Sequence, residues 1–571
     1  MKSLMKYLKG YEKECILSPL FKMLEATFEL FVPLVMAAII DQGIANGDKS
    51  YIIKMCFVLI TLGVVGLTCS LTAQYFAAKA AVGFSAKLRH ALFQHIGTLS
   101  FSEIDRLGTS TLITRMTSDV NQLQNGVNLV LRLLLRSPFV VLGAMIMAFT
   151  IDIKSAFVFV VVIPVLFLVV FAIMYITIPM YRKVQQRLDH ILKITRENLT
   201  GVRVIRAFNN ENNEKKEFDA GNESLTDMQL HVGRISAVMN PLSYCVINAG
   251  AVALIYSGAL RVDAGYISQG QVVALVNYMS QILVEVIKLA NLIITVTKAF
   301  ASAGRVRTVF DTKSSVTESK SPCSGEENSE YVVEFRNVSL KYHETGEEAI
   351  SHIDFRVKRG QTVGIIGGTG CGKSSVVHLI PRFYDATEGE VIVNGVNVKD
   401  WDTEKLRDAV GIVLQKAVLF KGSIRDNIRW GKKDATDEEI YRALDISQSR
   451  EFVENKENKL DEMIEQEGRN LSGGQRQRLT IARAVVKEPQ ILILDDSASA
   501  LDFATDARLR RSLKKMDKST TVFIVSQRTS SIQHADMIIV LDDGKIAMIG
   551  THEELLERCN EYREIHNSQI N

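Results

Sequence analysis

Six long apolar stretches before residue 300, at roughly 17–40, 51–78, 127–150, 155–178, 237–260 and 272–298, constrain this chain more than anything else in it. Each reaches the ~20 residues a helix needs to cross ~30 Å of hydrocarbon. Lipid offers a backbone no hydrogen-bond partners, so the stretches predict a bundle of six spanning helices. The connections alternate between short ones near 41–50, 151–154 and 261–271 and long polar ones at 79–126 and 179–236. The long segments keep helical periodicity with few Gly or Pro residues, so they are expected to be helical extensions reaching beyond the membrane. Both are rich in Lys and Arg; Arg182, Lys183, Arg187, Lys193, Arg196, Arg203, Arg206, Lys215 and Lys216 crowd the second. The positive-inside rule puts these segments and both termini in the cytoplasm. A short transverse helix is expected at a break in each, around 101–110 and 206–215. The N-terminal MKSLMKYLKGYEKEC reads as an interfacial helix leading into a retained first span.

Ionisable residues interrupt the spans: Lys22, Glu25 and Glu29 in the first, Arg132 and Arg136 in the third, Glu285 and Lys288 in the sixth. They admit two readings. Glu285 and Lys288, three apart on one helical face, neutralise each other while the arginines snorkel to the inner interface, or the charges line a substrate cavity. Asp41, at the outer end of the first span, reads as an interfacial turn residue rather than a gate. The seven cysteines, 15, 56, 69, 245, 323, 371 and 559, are widely spaced, with no CxxC, and are expected to be free thiols. A net charge of +3 gives no reason to expect nucleic acid as a partner.

The mean hydropathy of +0.10 averages two unlike halves. The membrane half is expected to span 1–310, a polar, Ser-rich linker 311–330, and a soluble domain 331–571. In that domain YVVEFRNVSLKY, QTVGIIG, GEVIVNG, VGIVLQ, ILILDD, TVFIVS and MIIVLDDGKIAMIG read as strands, with helical patterns between the later ones. This predicts an α/β core with an added antiparallel part. GGTGCGKS at 367–374 is a phosphate-binding loop: Gly367, Thr369, Gly370, Cys371 and Gly372 wrap backbone N–H groups around phosphates. Lys373 reaches the β- and γ-phosphates, Ser374 offers a hydroxyl to Mg²⁺, and Ser375 follows at the helix start. Asp495, ending a buried strand, is the expected Mg²⁺ partner. The next residue, Asp496, stands where the attacking water must be polarised.

LSGGQ at 471–475, directly before a basic helix, adds a second anion site built from Ser472, Gly473, Gly474 and Gln475. With LSGGQ downstream of a P-loop, the chain resembles an exporter-type ABC half-transporter, a six-helix membrane domain fused to a P-loop ATPase domain. Within that family it resembles the degenerate-site subunit of bacterial heterodimeric multidrug exporters. The resemblance implies that Tyr342 stacks on adenine and that Gln415 touches Mg²⁺ and relays to the membrane helices. It also implies that Asp502 crosses between two ATPase domains closing head to tail, each LSGGQ completing the other chain's ATP site, and that 101–110 and 206–215 are coupling helices.

The sequence departs from that family at two positions together. Asp496 replaces the catalytic Glu, and Gln527 replaces a His at the γ-phosphate. Asp falls about 1 Å or more short of the water, a misplacement that can cost on the order of 10²-fold. Gln donates a hydrogen bond but carries neither imidazole's proton nor its charge. A smaller departure is QEG at 466–468, where the family tends to ERG. The expectation is an obligate heterodimer in the bacterial inner membrane, exporting amphipathic or drug-like compounds with ATP and Mg²⁺ as cofactors, this chain holding the slow site. A lipid or peptide exporter, and a non-transporting regulatory or channel-like subunit, are the alternatives.

Overall fold

The computed structural model describes residues 2–319, 321–326, 329–342, 346–497, 500–517 and 519–570. These fall into two compact units, one of residues 1–96 with 110–311, the other of residues 97–109 with 312–571.

The first unit is all helix. A short N-terminal turn (Lys2–Leu8) precedes α1 (Glu12–Ala38), which continues as a π turn to Ile44, and α2 runs unbroken over Lys49–Gly97. After α3 (Phe101–Leu107), which belongs to the second unit, come α4 (Val120–Leu133), α5 (Arg136–Ile151), α6 (Ile153–Ala207), α7 (Glu211–Ala237), α8 (Met239–Asp263) and α9 (Gln269–Asp311). Among the described residues six continuous helical runs are long and apolar enough to cross a membrane, and all six extend past the apolar stretches that announce them. α3 begins with a capping box between Ser100 and Glu103 and stops at Gly108, whose φ of 76° a side chain would resist. No separate helix forms at the second break. α6 ends at Ala207 and α7 starts at Glu211, joined by a tight turn in which Asn209 takes a φ of 51°. Asn tolerates that conformation, so three residues suffice where a transverse helix is expected.

α1, α5, α6, α8 and α9 share one apolar core that includes Leu30, Val140, Phe159, Leu166, Leu254 and Tyr278. The Tyr278 hydroxyl donates to the Leu30 carbonyl at 2.6 Å, tying α9 to α1. Inside this core the charges arrange themselves differently from the snorkelling expectation. Arg136 is only 6% exposed and bridges three helices, donating to Glu29 at 2.6 Å and to Glu285 at 2.5 Å. Glu285 also accepts from Ser137 and Lys288, both at 2.8 Å, and Lys22 pairs with Glu25 at 2.6 Å. Glu285 and Lys288 thus do pair, but as the edge of a larger network, because a carboxylate buried this deeply needs more than one donor. Asp41 does more than turn the chain: it accepts from the Ser268 hydroxyl and, at 2.8 Å, from the Gly270 N–H, capping the start of α9 from another helix.

In the second unit, the described residues of 312–330 hold no helix or strand, apart from a bridge between Cys323 and Trp401. β2 (Ile350–Lys358), β1 (Tyr331–Leu340), β4 (Glu388–Val393) and β5 (Val396–Asn397) form an antiparallel sheet in that order. A six-stranded sheet runs β12 (Lys545–Gly550), β11 (Met537–Asp542), β3 (Thr362–Gly367), β10 (Thr521–Val525), β9 (Ile491–Asp495) and β6 (Val410–Val413); all neighbours are parallel except β11 and β12. β7 (Gly422–Ser423) and β8 (Met463–Ile464) make a small ladder. β2 is absent from the strands expected above, although its alternating burial is that of a half-buried strand. The helices that bear on the site are α10 (Lys373–Leu379), α11 (Gly473–Val485), α12 (Phe503–Leu513) and α13 (Asn560–Ile570). All seven cysteines are free thiols.

Candidate functional site: a P-loop nucleotide site and a separate signature turn

β10 lies between β3 and β9, and the three run parallel in register, Val525 beside both Ile365 and Asp495. Their carboxyl ends therefore bring the P-loop, the Asp495–Asp496 pair and the segment leading to Gln527 to one sheet edge, where α/β sheets bind ligands. Gln415, two residues beyond β6, joins them: its amide nitrogen donates to Asp496 Oδ2 at 3.3 Å.

The loop's shape depends on glycine. Gly370 and Gly372 have φ of 88° and 91°, and a Cβ on Gly372 would sit 2.5 Å from Ile350 Cγ2 and 2.6 Å from the Ala349 carbonyl oxygen. Lys373 is buried and folds back on the loop, donating to the carbonyls of Gly367 at 2.9 Å and Gly368 at 2.6 Å, with Cys371 Sγ 3.6 Å away. Its ammonium is thus held at the centre of the loop, while Gly368, Thr369 and Gly370 face solvent. Ser374 Oγ donates to Asp495 Oδ1 at 2.9 Å, and the Asp495 carboxylate is buried. Ser374, Gln415 and Asp495 offer hydroxyl, amide-carbonyl and carboxylate oxygens, a donor set that fits a small hard cation such as Mg²⁺.

Asp496 turns sharply out of β9 with a φ of 47°, and its N–H donates to Val525 O at 3.0 Å. Burial pushes its carboxyl above the ordinary aspartate range, and the charge of Asp495 adds to the shift. Gln527 is exposed, and its backbone carbonyl accepts from Gln569 Nε2 at 2.7 Å. The same Gln569, on α13, accepts from the Thr529 N–H at 2.9 Å and from the Thr529 hydroxyl at 3.1 Å, so one side chain grips the loop on both sides of Arg528.

Tyr342, at the end of β1, places its hydroxyl 2.9 Å from Ser375 Oγ, and its ring meets Tyr384 edge-on at 5.0 Å. Tyr384 in turn donates to Asp105 of α3 at 3.0 Å, and Phe101 lies 4.5 Å from Phe383. α3 therefore ends against the aromatic cluster beside the P-loop. Sequence reasoning missed Tyr384, Phe383 and Gln569. Their partners lie tens to hundreds of residues away, and only the aromatic pair in PRFYD, four and five residues past α10, hinted at a contact surface.

The LSGGQ turn is built separately. Ser472 Oγ accepts from the Gln475 N–H at 3.3 Å, and Gln475 Oε1 accepts from the Ser472 N–H at 3.0 Å, a capping box at the start of α11. Gly473 stays exposed beside it, so the turn presents a helix N-terminus with little side chain in front. Arg483, further along α11, is pulled down to about 10 by burial and donates to the carbonyls of Val418 and Asn427, fastening the segment after Gln415 to the signature helix. Asp502 caps α12, accepting from the Thr505 N–H at 2.8 Å. Among the described residues no hydrogen bond joins LSGGQ to the P-loop of the same chain.

Comparison with known proteins agrees with this geometry. Residues 15–286 match the ABC transporter transmembrane region and residues 350–499 the ABC transporter ATPase family. An uncharacterised ABC transporter ATP-binding protein of Mycobacterium tuberculosis is 36% identical over 571 residues, covering 99% of this chain and 97% of its own. The chain belongs to the ABC transporter family. A putative multidrug export ATP-binding/permease protein of Bacillus subtilis is 31% identical over 571 residues, covering 99% and 98%. The fold is that of a bacterial Atm1-family ABC exporter solved with ATP bound, at a TM-score of 0.81, 20% identity and 98% coverage of both chains. This ABC transporter is thus an exporter-type half-transporter, an ATP-hydrolysing integral membrane protein with its membrane and ATPase domains fused. A half-transporter of this kind works as a dimer.

Proposed function

We propose that this half-transporter exports amphipathic, drug-like compounds across a bacterial inner membrane as one subunit of a heterodimer, and that its own ATP site is the slow one. The membrane domain then spans 1–310 and the ATPase domain 331–571, joined by the linker 311–330, with both termini and the ATPase domain cytoplasmic. The observation that carries the reading is a complete nucleotide-holding set beside two weakened hydrolytic positions. Lys373 and the P-loop N–H groups hold phosphate, Ser374, Gln415 and Asp495 hold Mg²⁺, and Tyr342 stacks on the base. ATP bound there supplies the free energy that drives closure of the two ATPase domains. Asp496 polarises the attacking water from about 1 Å too far away, and Gln527 offers the γ-phosphate a neutral donor. The intact Ser472–Gln475 turn meanwhile serves the partner's ATP, with Asp502 beside it at the domain junction. Paired with itself, the chain would have two slow sites; paired with a homologue bearing Glu and His, it completes one fast site.

The test is the purified complex in lipid. ATPase activity raised by amphipathic compounds, with ATP-dependent uptake of those compounds into inverted vesicles, is the expected result. Ion conductance without uptake would overturn export in favour of a channel-like subunit, and ATP-driven movement of lipid alone would reassign the cargo.

A further inference from the structure

The membrane unit contains a cavity of about 390 Å³ between α1 and α9, against α5. Its polar wall consists of Glu29, Asn277, Ser280, Gln281 and Glu285, and apolar side chains such as Met36 complete it. Both charged side chains on that wall are carboxylates. Glu29 gives one carboxylate oxygen to Arg136, and its side chain is still 42% exposed. Ser280 spends its hydroxyl proton on the Val276 carbonyl at 3.2 Å, which leaves only its lone pairs for a ligand. Gln281 Oε1 is buried with no hydrogen-bond partner. Glu285 is saturated by Arg136, Ser137 and Lys288 and fixes the cavity's floor. No Lys or Arg lines the cavity. Arg136 lies behind the carboxylates with only 6% of its side chain exposed, and Lys288, 40% exposed, is paired with Glu285 at 2.8 Å outside the lining.

A buried acceptor without a donor is costly in an apolar medium, and a carboxylate at membrane depth marks a substrate path by default. We propose that this cavity binds the ammonium group of an amphipathic amine, with Glu29 supplying the charge, Gln281 Oε1 and Ser280 Oγ accepting its N–H groups, and the apolar body of the ligand lying along Met36. The proposal rests on the export reading and narrows its substrate class. An anionic ligand would meet carboxylates with no cation on the wall, and a ligand without N–H donors would leave Gln281 Oε1 unpaired.

The experiment uses the full transporter in lipid nanodiscs and three fluorescent probes of one skeleton: dansylcadaverine, its N-acetyl derivative, which lacks the charge, and the analogous dansyl-aminoalkyl carboxylic acid. The amine is expected to bind at least about tenfold more tightly than the other two, the scale of a charge-assisted hydrogen bond. Glu29→Gln should remove most of that preference and Glu29→Asp should retain part of it. Gln281→Leu, which leaves the ion network intact, should weaken the amine while sparing the N-acetyl probe. Unchanged ATP binding confirms that each variant is folded. Equal affinity for amine and N-acetyl probe, no binding of the amine, or an undiminished preference in both Glu29→Gln and Gln281→Leu overturns the inference. ATP-driven uptake of the probes into inverted vesicles separates the two claims: uptake without amine preference keeps export and sinks this site, whereas amine-selective binding without uptake of any probe keeps the site and sinks export.

Discussion

Restoring a single methylene at position 496 should speed the chain's own ATP site by about two orders of magnitude. The Asp496 carboxylate is fixed at its base, by a backbone turned to a φ of 47° and an N–H bonded to Val525, and at its tip by Gln415 at 3.3 Å. Glu adds one C–C bond of ~1.5 Å, which brings the carboxylate about 1 Å closer to the γ-phosphate side. A correction of that size is worth about 10²-fold, or ~2.7 kcal/mol at 1.36 kcal/mol per decade. The assay is phosphate release by the chain purified alone in lipid, where both sites are of this kind. The wild type should turn over slowly, Asp496→Glu about a hundredfold faster, and Asp496→Glu with Gln527→His faster again. If the double variant binds ATP normally but hydrolyses it within twofold of wild type, the reach argument is wrong.

Three further outcomes follow from the same site. In the proposed heterodimer, Ser472→Ala, which breaks the capping box at a cost of about 1 kcal/mol and would expose the partner's ATP to a frayed helix start, should reduce turnover far more than Asp496→Ala; the reverse ranking would exchange the slow and fast sites. Gln569→Ala removes three hydrogen bonds from the 527–529 loop, so kcat should fall several-fold while ATP affinity, set by the P-loop, stays within about twofold; equal loss of both would show that α13 merely supports the domain. Asp496 must be deprotonated to polarise water and its pKa is raised, so single-turnover hydrolysis at this site should fall as pH drops, with a midpoint above the ~3.9 of a free aspartate, and Asp496→Asn should flatten the profile.

Much of this protein was legible in its sequence, for identifiable reasons. Membrane spans announce themselves because lipid forbids polar surface, and the P-loop and LSGGQ do so because each is a local backbone device whose residues are neighbours in the chain. What was not legible is long-range. Glu285 and Lys288 look like a self-contained pair until Arg136, 149 positions away, joins them; Asp41 looks like a turn residue until it caps a helix 229 positions on. Tyr384 and Gln569 carry no motif, and their roles appear only when α3 and α13 come to rest against the ATP-site loops. Position 206–215 shows the opposite limit, since its polar break is real but Asn209 closes it in a turn rather than a helix. β2 was legible in its alternation, but a polar stretch of sequence stands directly before it and masks where it begins.

The central claim is that this chain retains ATP where its partner spends it, and the nucleotide trapped on the chain tests it most directly. The proposed heterodimer, turning over with labelled ATP and stripped rapidly of free nucleotide, should hold one equivalent at the Lys373 site, recovered as ATP and lost in Lys373→Ala. Recovery of that equivalent as ADP, formed at the rate of the overall turnover, would contradict the account.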